Sequence, residues 1–207
     1  MIAIVDYGMG NLRSAQKGFE KAGHAAMITD DPASLAKADA VVLPGVGAFG
    51  DCYEGLRSRG FVEPILEAAR SGRPFLGICV GLQLLFEESE EGGRHKGLGI
   101  LPGRVVRFPD AKETGLKVPH MGWNRIRPTG QRPCPLLAGA APNPYMYFVH
   151  SYYPQPDDPD IVLATCEYGI EFAAMVGRGN VFAVQFHPEK SQREGIKLLK
   201  AFGDMVR

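Results

Sequence analysis

Four short runs in the first eighty residues are apolar without interruption: Ile2-Ala3-Ile4-Val5, Ala26-Met27-Ile28, Ala40-Val41-Val42-Leu43 and Pro74-Phe75-Leu76. Bounded by Gly, Pro and Asp, they read as buried strands. Between them the period changes to that of a helix. Leu12, Ala15, Phe19 and Ala22 share one side, with Gly23 as a stop, and Asp31-Pro32 opens a short helix through Leu35. Further helical segments fall near Cys52 to Arg59 and Val62 to Arg70. Strand and helix in strict alternation can close only as a parallel sheet with helices on both faces.

The fourth run leads into Gly77-Ile78-Cys79-Val80-Gly81, and then into Leu82, Leu85 and Phe86 at helical spacing, with Gln83, Glu87 and Glu88 on other faces. A strand followed at once by a helix requires a sharp turn, and Cys79 occupies it with a glycine two positions away on each side. This is the nucleophile-elbow pattern with cysteine in place of serine. The glycines let neighbouring backbone crowd a strained residue, and the helix start turns free N–H groups toward the sulfur. Such surroundings favour thiolate, the attacking form of cysteine. A lone cysteine in an apolar run is more often packing, so the catalytic reading depends on a base elsewhere in the chain.

The second half changes character. After the glycine-rich segment from Glu91 to Gly99 come Arg104–Phe108, Val118–Arg127, Tyr145–Tyr153, Ile161–Tyr168 and Phe172–Gly177, rich in β-branched and aromatic residues and separated by Pro, Gly and Asp. Gln131 to Pro144 is proline-rich and reads as loop. Val181–Phe186 is one more strand, followed by His187-Pro188-Glu189, and the chain closes with a helix from about Gln192 whose stripe is Ile196, Leu199 and Phe202. With no internal repeat and no composition break, residues 1–207 read as one α/β domain. Its sheet is open, mixed and largely parallel, flavodoxin-like, with added antiparallel strands in its second half.

Lys and Arg number 23 and Asp and Glu also 23, which gives no bulk electrostatic case for nucleic acid or an anionic membrane as partner. No apolar stretch reaches transmembrane length, and Met1–Val5 runs directly into Asp6, unlike a signal peptide; the expected location is cytoplasmic. Cys52, Cys79, Cys134 and Cys166 are widely spaced with no clustered histidines, so neither a metal site nor a disulfide framework is expected and no cofactor is implied. Cys52, Cys134 and Cys166 read as packing residues.

His187 and Glu189 stand just past a strand's C-terminal end, where ligands collect in open α/β sheets. Two apart, they leave an extended backbone on the same side, and Pro188 stiffens the link. A carboxylate beside a histidine holds its tautomer and stabilises the imidazolium formed on proton uptake. With Cys79 they make a cysteine-histidine-carboxylate triad possible. The loop Pro44-Gly45-Val46-Gly47 also follows a buried strand and can offer backbone donors to an oxyanion, with the N–H of Val80 as a second donor. A plain strand-to-helix turn explains that loop equally well. Gln83 lies one turn beyond Cys79 on its face and could bind a polar substrate. Asp6-Tyr7-Gly8-Met9-Gly10-Asn11 lacks the third glycine and the lysine of a phosphate loop. His120, Trp123, Tyr147 and His150 lie in strand-like runs and read first as core or edge residues.

Taken together, PGVG at 44–47, GICVGLQLLFEESEE at 77–91 and FHPE at 186–189 resemble the class I, triad-type glutamine amidotransferases. DYGMGN with Ser14, PHMGWN at 119–124, YFVHSYY at 147–153 and FHPEKSQ at 186–192 resemble more closely the glutaminase subunits of imidazole glycerol phosphate synthases. The likeness runs from end to end; Val80 and Leu82 replace a leucine and a methionine usual in the elbow, both conservatively. It implies hydrolysis of L-glutamine to glutamate and ammonia, with Cys79 forming a glutamyl thioester, His187 shuttling the proton and Glu189 orienting it. Oxyanion donors would come from the Gly45, Val46 and Gly47 loop, after a peptide flip, and from Val80. Gln83, Glu91, Ser151 and Tyr152 would hold glutamine's amino and carboxylate groups. The implied partner is a (β/α)8 cyclase subunit that receives ammonia in a heterodimer, with Asn11, Trp123, Tyr147 and Lys190 at the interface. Two other readings share parts of this pattern: a glutaminase of another pathway, such as a vitamin B6 or folate-branch synthase, and a non-catalytic regulatory or nucleotide-binding module on the same sheet. PHMGWN and HSYY count against the first and an intact Cys79, His187 and Glu189 against the second.

Overall fold

The computed structural model describes residues 1–110, 112, 115–130 and 133–206; Gln131 and Arg132, at the head of the proline-rich loop, lie outside them. In chain order the first half runs β1 (Ile2–Val5), α1 (Leu12–Lys21), β2 (Ala26–Thr29), a 3-10 turn at Pro32–Lys37, β3 (Ala40–Gly45), α2 (Phe49–Ser58), α3 (Val62–Arg70), β4 (Phe75–Cys79) and α4 (Val80–Gln83). The second half adds β5 (Glu88–Ser89), β6 (His95–Lys96), β7 (Gly103–Arg107), β8 (His120–Pro128), β9 (Tyr145–His150), β10 (Tyr152–Pro156), β11 (Val162–Glu167), β12 (Glu171–Arg178), β13 (Val181–Val184) and α5 (Gln192–Gly203).

Nine strands form one sheet in the order β2-β1-β3-β4-β13-β12-β11-β8-β9. The five from β2 to β13 pair in parallel, and β12, β11, β8 and β9 continue antiparallel. This is the flavodoxin-like, mixed architecture expected. Every residue of β1, β3, β4 and β13 is buried, as strands covered on both faces must be. α1 and α5 pack together through Phe19 and Phe202, whose ring centroids lie 6.0 Å apart.

Three expectations need correction. The helix after Cys79 does not continue through Phe86 to Glu88; it ends at Gln83. Leu84, Leu85 and Phe86 are all fully buried, so their apolarity does not mark one helix face. The carbonyls that a longer helix would use are taken by the following segment: Leu98 N donates to Leu84 O, Ile100 N to Leu85 O and Gly99 N to Phe86 O. That crossing needs Gly97, where a Cβ would overlap the Phe86 carbonyl oxygen. Second, the run Tyr145–Tyr153 breaks at Ser151. β9 stays in the large sheet, while β10 joins β7, β5 and β6 in a four-stranded sheet that the alternation did not announce. Third, His187 is extended but Pro188–Lys190 is a 3-10 turn, with proline at its first position. The two catalytic candidates therefore meet across a turn, not along a strand.

Candidate active site

The elbow places Cys79 at φ 56°, ψ −113°, one of two non-glycine residues with positive φ among those described. Such a conformation costs about 1–3 kcal/mol and persists only where the surroundings enforce it. They do so through close backbone packing. A Cβ on Gly81 would overlap the Leu43 carbonyl oxygen, and one on Gly77 would lie 2.8 Å from Gly81 O. Only glycine lets α4 start this close to β3 and β4. Parallel register sets Gly45 directly beside Cys79, so β3 delivers the Pro44–Gly47 loop to the sulfur.

His187 arrives from the adjacent strand β13. Its Nδ1 bonds Glu189 Oε1 at 2.8 Å, and both side chains are at most 3 % exposed. The turn carrying them is locked to β9: His187 N donates to Tyr147 O (2.9 Å), Tyr147 N to Ser191 Oγ (3.0 Å), and Ser191 Oγ to His187 O (2.6 Å). Nε2 of His187 faces the Cys79 sulfur and, among the described residues, meets no other hydrogen-bond partner. Burial alone would lower the pKa of this imidazole; the neighbouring Cys79 sulfur and Glu189 carboxylate outweigh it and carry the pKa up to about 10. At neutral pH the ring is therefore cationic, an acid beside the Cys79 sulfur.

Cys79 and His187 open on one pocket of about 310 Å³, lined also by Val46, Gly47, Val80, Gln83, Glu91, Ser151 and Tyr152. That is the small end of the about 300–1,000 Å³ range of ligand pockets, suited to a molecule of amino-acid size. The catalytic, loop and substrate candidates thus converge, with Gly45 just behind the rim and Glu189 behind His187. Glu91 has already committed one oxygen: its Oε2 accepts from Phe49 N at 2.7 Å, at the start of α2. Gln83 is likewise engaged, its Nε2 donating to Tyr152 O (3.0 Å) and Gln185 Oε1 (3.1 Å).

Three of the four interface candidates cluster at β8, β9 and the turn after His187. Trp123 and Tyr147, paired across β8 and β9, have ring centroids 6.0 Å apart, and Lys190 Nζ sits 5.9 Å from the Tyr147 ring. Asn11 shares a small gap with Pro44, Gly45, Val46 and Glu189. β8 and β9 alternate cleanly, turning Met121, Trp123 and Tyr145 outward, with Met121 63 % and Trp123 46 % exposed. Trp123 is thus no core residue, whereas His120 and His150 are buried.

Several residues at the site were not singled out from the sequence. Gln185 is fully buried and donates from Nε2 to Cys79 Sγ at 3.8 Å. Its signal was available, since it is the one polar residue in Val181–Phe186. Tyr7 Oη donates to Pro44 O (2.8 Å), and the Cys52 thiol donates to Val46 O (3.5 Å). Cys52 is therefore not mere packing: both side chains hold carbonyls of the Pro44–Gly47 loop. Burial pushes the Cys52 thiol up to about 11 and Tyr7 well above its usual range, so both stay protonated donors.

Comparison with known proteins follows the same lines. The family model for class-I glutamine amidotransferases matches residues 3–205. A protein of Syntrophotalea carbinolica named imidazole glycerol phosphate synthase subunit HisH is 64 % identical, over 99 % of this chain and 100 % of its own. A protein of the same name from Geobacter sulfurreducens is 56 % identical over 99 % and 98 %. Among solved structures, one described as PurLQS from Thermotoga maritima matches the fold with a TM-score of 0.76 at 20 % identity, covering 100 % of this chain and 98 % of that one. A glutamine amidotransferase crystal structure matches with 0.75 at 19 %, covering 100 % and 99 %. By family model and by relatives sharing more than half its residues from end to end, the chain belongs to the class-I glutamine amidotransferases, among the HisH subunits of imidazole glycerol phosphate synthase.

Proposed function

We propose that this chain, acting as one amidotransferase domain over residues 1–207, hydrolyses L-glutamine and hands the ammonia to a (β/α)8 cyclase subunit in the cytoplasm, as part of histidine biosynthesis. The observation that carries the reading is a strained, pocket-facing Cys79 beside an imidazole whose far nitrogen is held by a buried carboxylate. The sulfur, as thiolate, attacks the side-chain amide carbon of glutamine. The resulting oxyanion is received by backbone N–H groups of Val80 and of the Gly45–Gly47 loop. His187 gives its Nε2 proton to the departing nitrogen, the C–N bond breaks, ammonia leaves, and a glutamyl thioester remains. His187, now neutral, takes a proton from water as that water attacks the thioester. Collapse expels the Cys79 thiolate, releases glutamate and leaves His187 protonated again. Glu189 orients the ring throughout.

Gln83, Glu91, Ser151 and Tyr152 line the remainder of the pocket and are placed to receive the amino and carboxylate groups. The exposed Met121, Trp123 and Tyr145, with Tyr147 and Lys190 beside them, give the partner an aromatic-rich docking face, and Asn11 borders the Pro44–Gly47 loop. Ammonia released there is kept from bulk water, where protonation would remove its lone pair.

The test is a glutamine-dependent assay with and without the candidate cyclase and its nucleotide. Cys79→Ala should abolish ammonia production from glutamine while ammonia-fed synthesis by the complex continues; retained glutaminase activity would refute the triad. Glu189→Gln should slow the reaction strongly without erasing it, because the carboxylate holds the ring's tautomer and charge and does not itself attack.

A further inference from the structure

Two inward-facing histidines, His120 and His150, lie opposite each other on β8 and β9, within a buried hydrogen-bonded chain that ends at Cys79. Its atoms are Asn124 Nδ2 to His120 Nε2 (3.3 Å), His120 Nδ1 to His150 Nε2 (3.0 Å) and His150 Nδ1 to Tyr152 O (2.8 Å). From the other side of that carbonyl it continues through Gln83 Nε2 (3.0 Å), Gln185 Oε1 (3.1 Å from Gln83 Nε2) and Gln185 Nε2 to Cys79 Sγ (3.8 Å).

A main-chain carbonyl can only accept, and this one fact orients every member. His150 must carry its proton on Nδ1, so in the neutral ring Nε2 is bare and receives the Nδ1 proton of His120. His120 Nε2 is then bare and accepts from Asn124, whose second amide proton goes to Glu167 O at 2.8 Å. On the other arm, Gln83 must turn its NH2 toward Tyr152 O. The second proton of that NH2 goes to Gln185, which therefore presents oxygen to Gln83 and N–H to the sulfur. Neutrality of both rings is secured by burial, which lowers His120 to about 4 and His150 to about 3. His120 is also clamped between Phe148 and Tyr168, with ring centroids at 4.7 and 4.1 Å.

We propose that Gln185 is a positioning residue for the Cys79 nucleophile, its N–H fixed toward the sulfur by the Gln83–Tyr152 carbonyl–His150–His120 chain. An N–H aimed at a developing or standing thiolate is a charge-assisted donor. Replacing it by an oxygen removes the donor and places a lone pair or a charge against the sulfur. The inference rests on Cys79 being the nucleophile, as proposed above. The chain also begins on the inner side of β8, one residue from the outward-facing Trp123, so whatever moves that strand is connected to the sulfur.

The test uses the whole chain and needs no partner. Iodoacetamide alkylation of Cys79, followed by mass spectrometry at neutral pH, should slow about tenfold in Gln185→Glu and also slow in the near-isosteric Gln185→Met, the range of a lost hydrogen bond to a charged group. In glutamine turnover the loss should fall on kcat, with KM little changed. A purely structural role would lower the thermal midpoint and leave alkylation of the folded fraction unaltered; alkylation at the wild-type rate in both variants overturns the proposal. Long-range ¹⁵N NMR of the wild type, which requires no variant to fold, should find His120 and His150 both neutral with the proton on Nδ1. A proton on Nε2 of His150, or a charged ring at neutral pH, also overturns it. If Cys79→Ala retains glutaminase activity the nucleophile reading fails, a result that leaves the alkylation comparison independent.

Discussion

The buried histidines dictate how the stability of the fold depends on pH, and the two kinds pull in opposite directions. His120 and His150 have folded pKa values near 4 and 3, against 6.5 for an ordinary histidine. They contribute stability that is complete above about 6.5 and is lost as pH falls, because the unfolded chain takes up two protons that the fold refuses. His187 is raised to about 10. Its contribution is fully present below 6.5 and is lost as pH rises, because the fold keeps a proton that the unfolded chain releases. Stability should therefore peak near pH 6.5. Summing the three groups, the acid limb loses about 3 kcal/mol by roughly pH 5 and the alkaline limb about 1 kcal/mol by roughly pH 8, where the two neutral rings offset part of the His187 loss. For a chain of this size those losses correspond to about 6–12 °C and 2–4 °C in thermal midpoint. Buried Cys52 and Cys166, raised to about 11 and 12, add to the alkaline loss only once an unfolded thiol ionises, above roughly pH 8.5. Urea denaturation at half-unit steps between pH 5 and 8 would measure both limbs. His187→Gln should flatten the alkaline limb alone, and His120→Asn with His150→Asn the acid limb alone; the slope is read, so a lower absolute stability does not obscure the result. A stability that is level or rising from pH 6.5 down to 5, or an acid limb unaltered in the double variant, would refute the assignment of neutral buried rings.

Two substitutions test the frame that holds the site. Gly81→Ala drives a methyl group into the Leu43 carbonyl, with the Leu43 carbonyl carbon only 2.8 Å away, so β3 and the elbow must part. A loss of about 3 kcal/mol or more in chemical denaturation is expected, together with loss of selective Cys79 alkylation; a wild-type denaturation midpoint would contradict the packing. Ser191→Ala removes the buried hydroxyl that joins Tyr147 N to His187 O. It should cost about 1–3 kcal/mol in denaturation and lower glutaminase turnover, because the turn aiming His187 loses its tie to β9.

What the chain announces openly is what depends on local pattern. Uninterrupted apolar strands alternating with 3.6-period helices point to the parallel half of the sheet, and two glycines flanking Cys79 point to the elbow, because both properties reside within a dozen residues. The helix after Cys79 misleads for a physical reason: Leu82, Leu85 and Phe86 are apolar because they are buried on every side, and a short segment buried all round has no face to betray its period. The four-stranded sheet is illegible for a related reason, since β5 and β6 are two residues each and exist only through pairing, β5 with β7 and β6 with β5. Site polarity divides the same way. His187 and Glu189 are two apart, so their pairing could be read along the chain. Gln83, Gln185, His120 and His150 come from four separate segments and acquire a shared direction only once the Tyr152 carbonyl lies between them. A polar residue in an otherwise apolar run, as Gln185 is just past the end of β13, can remain buried only if its amide is satisfied. The demand for that partner is visible in sequence even though the partner is not. In this fold the partners are Gln83 and the Cys79 sulfur, so satisfying the buried amide and orienting an N–H toward that sulfur are met by one arrangement of atoms.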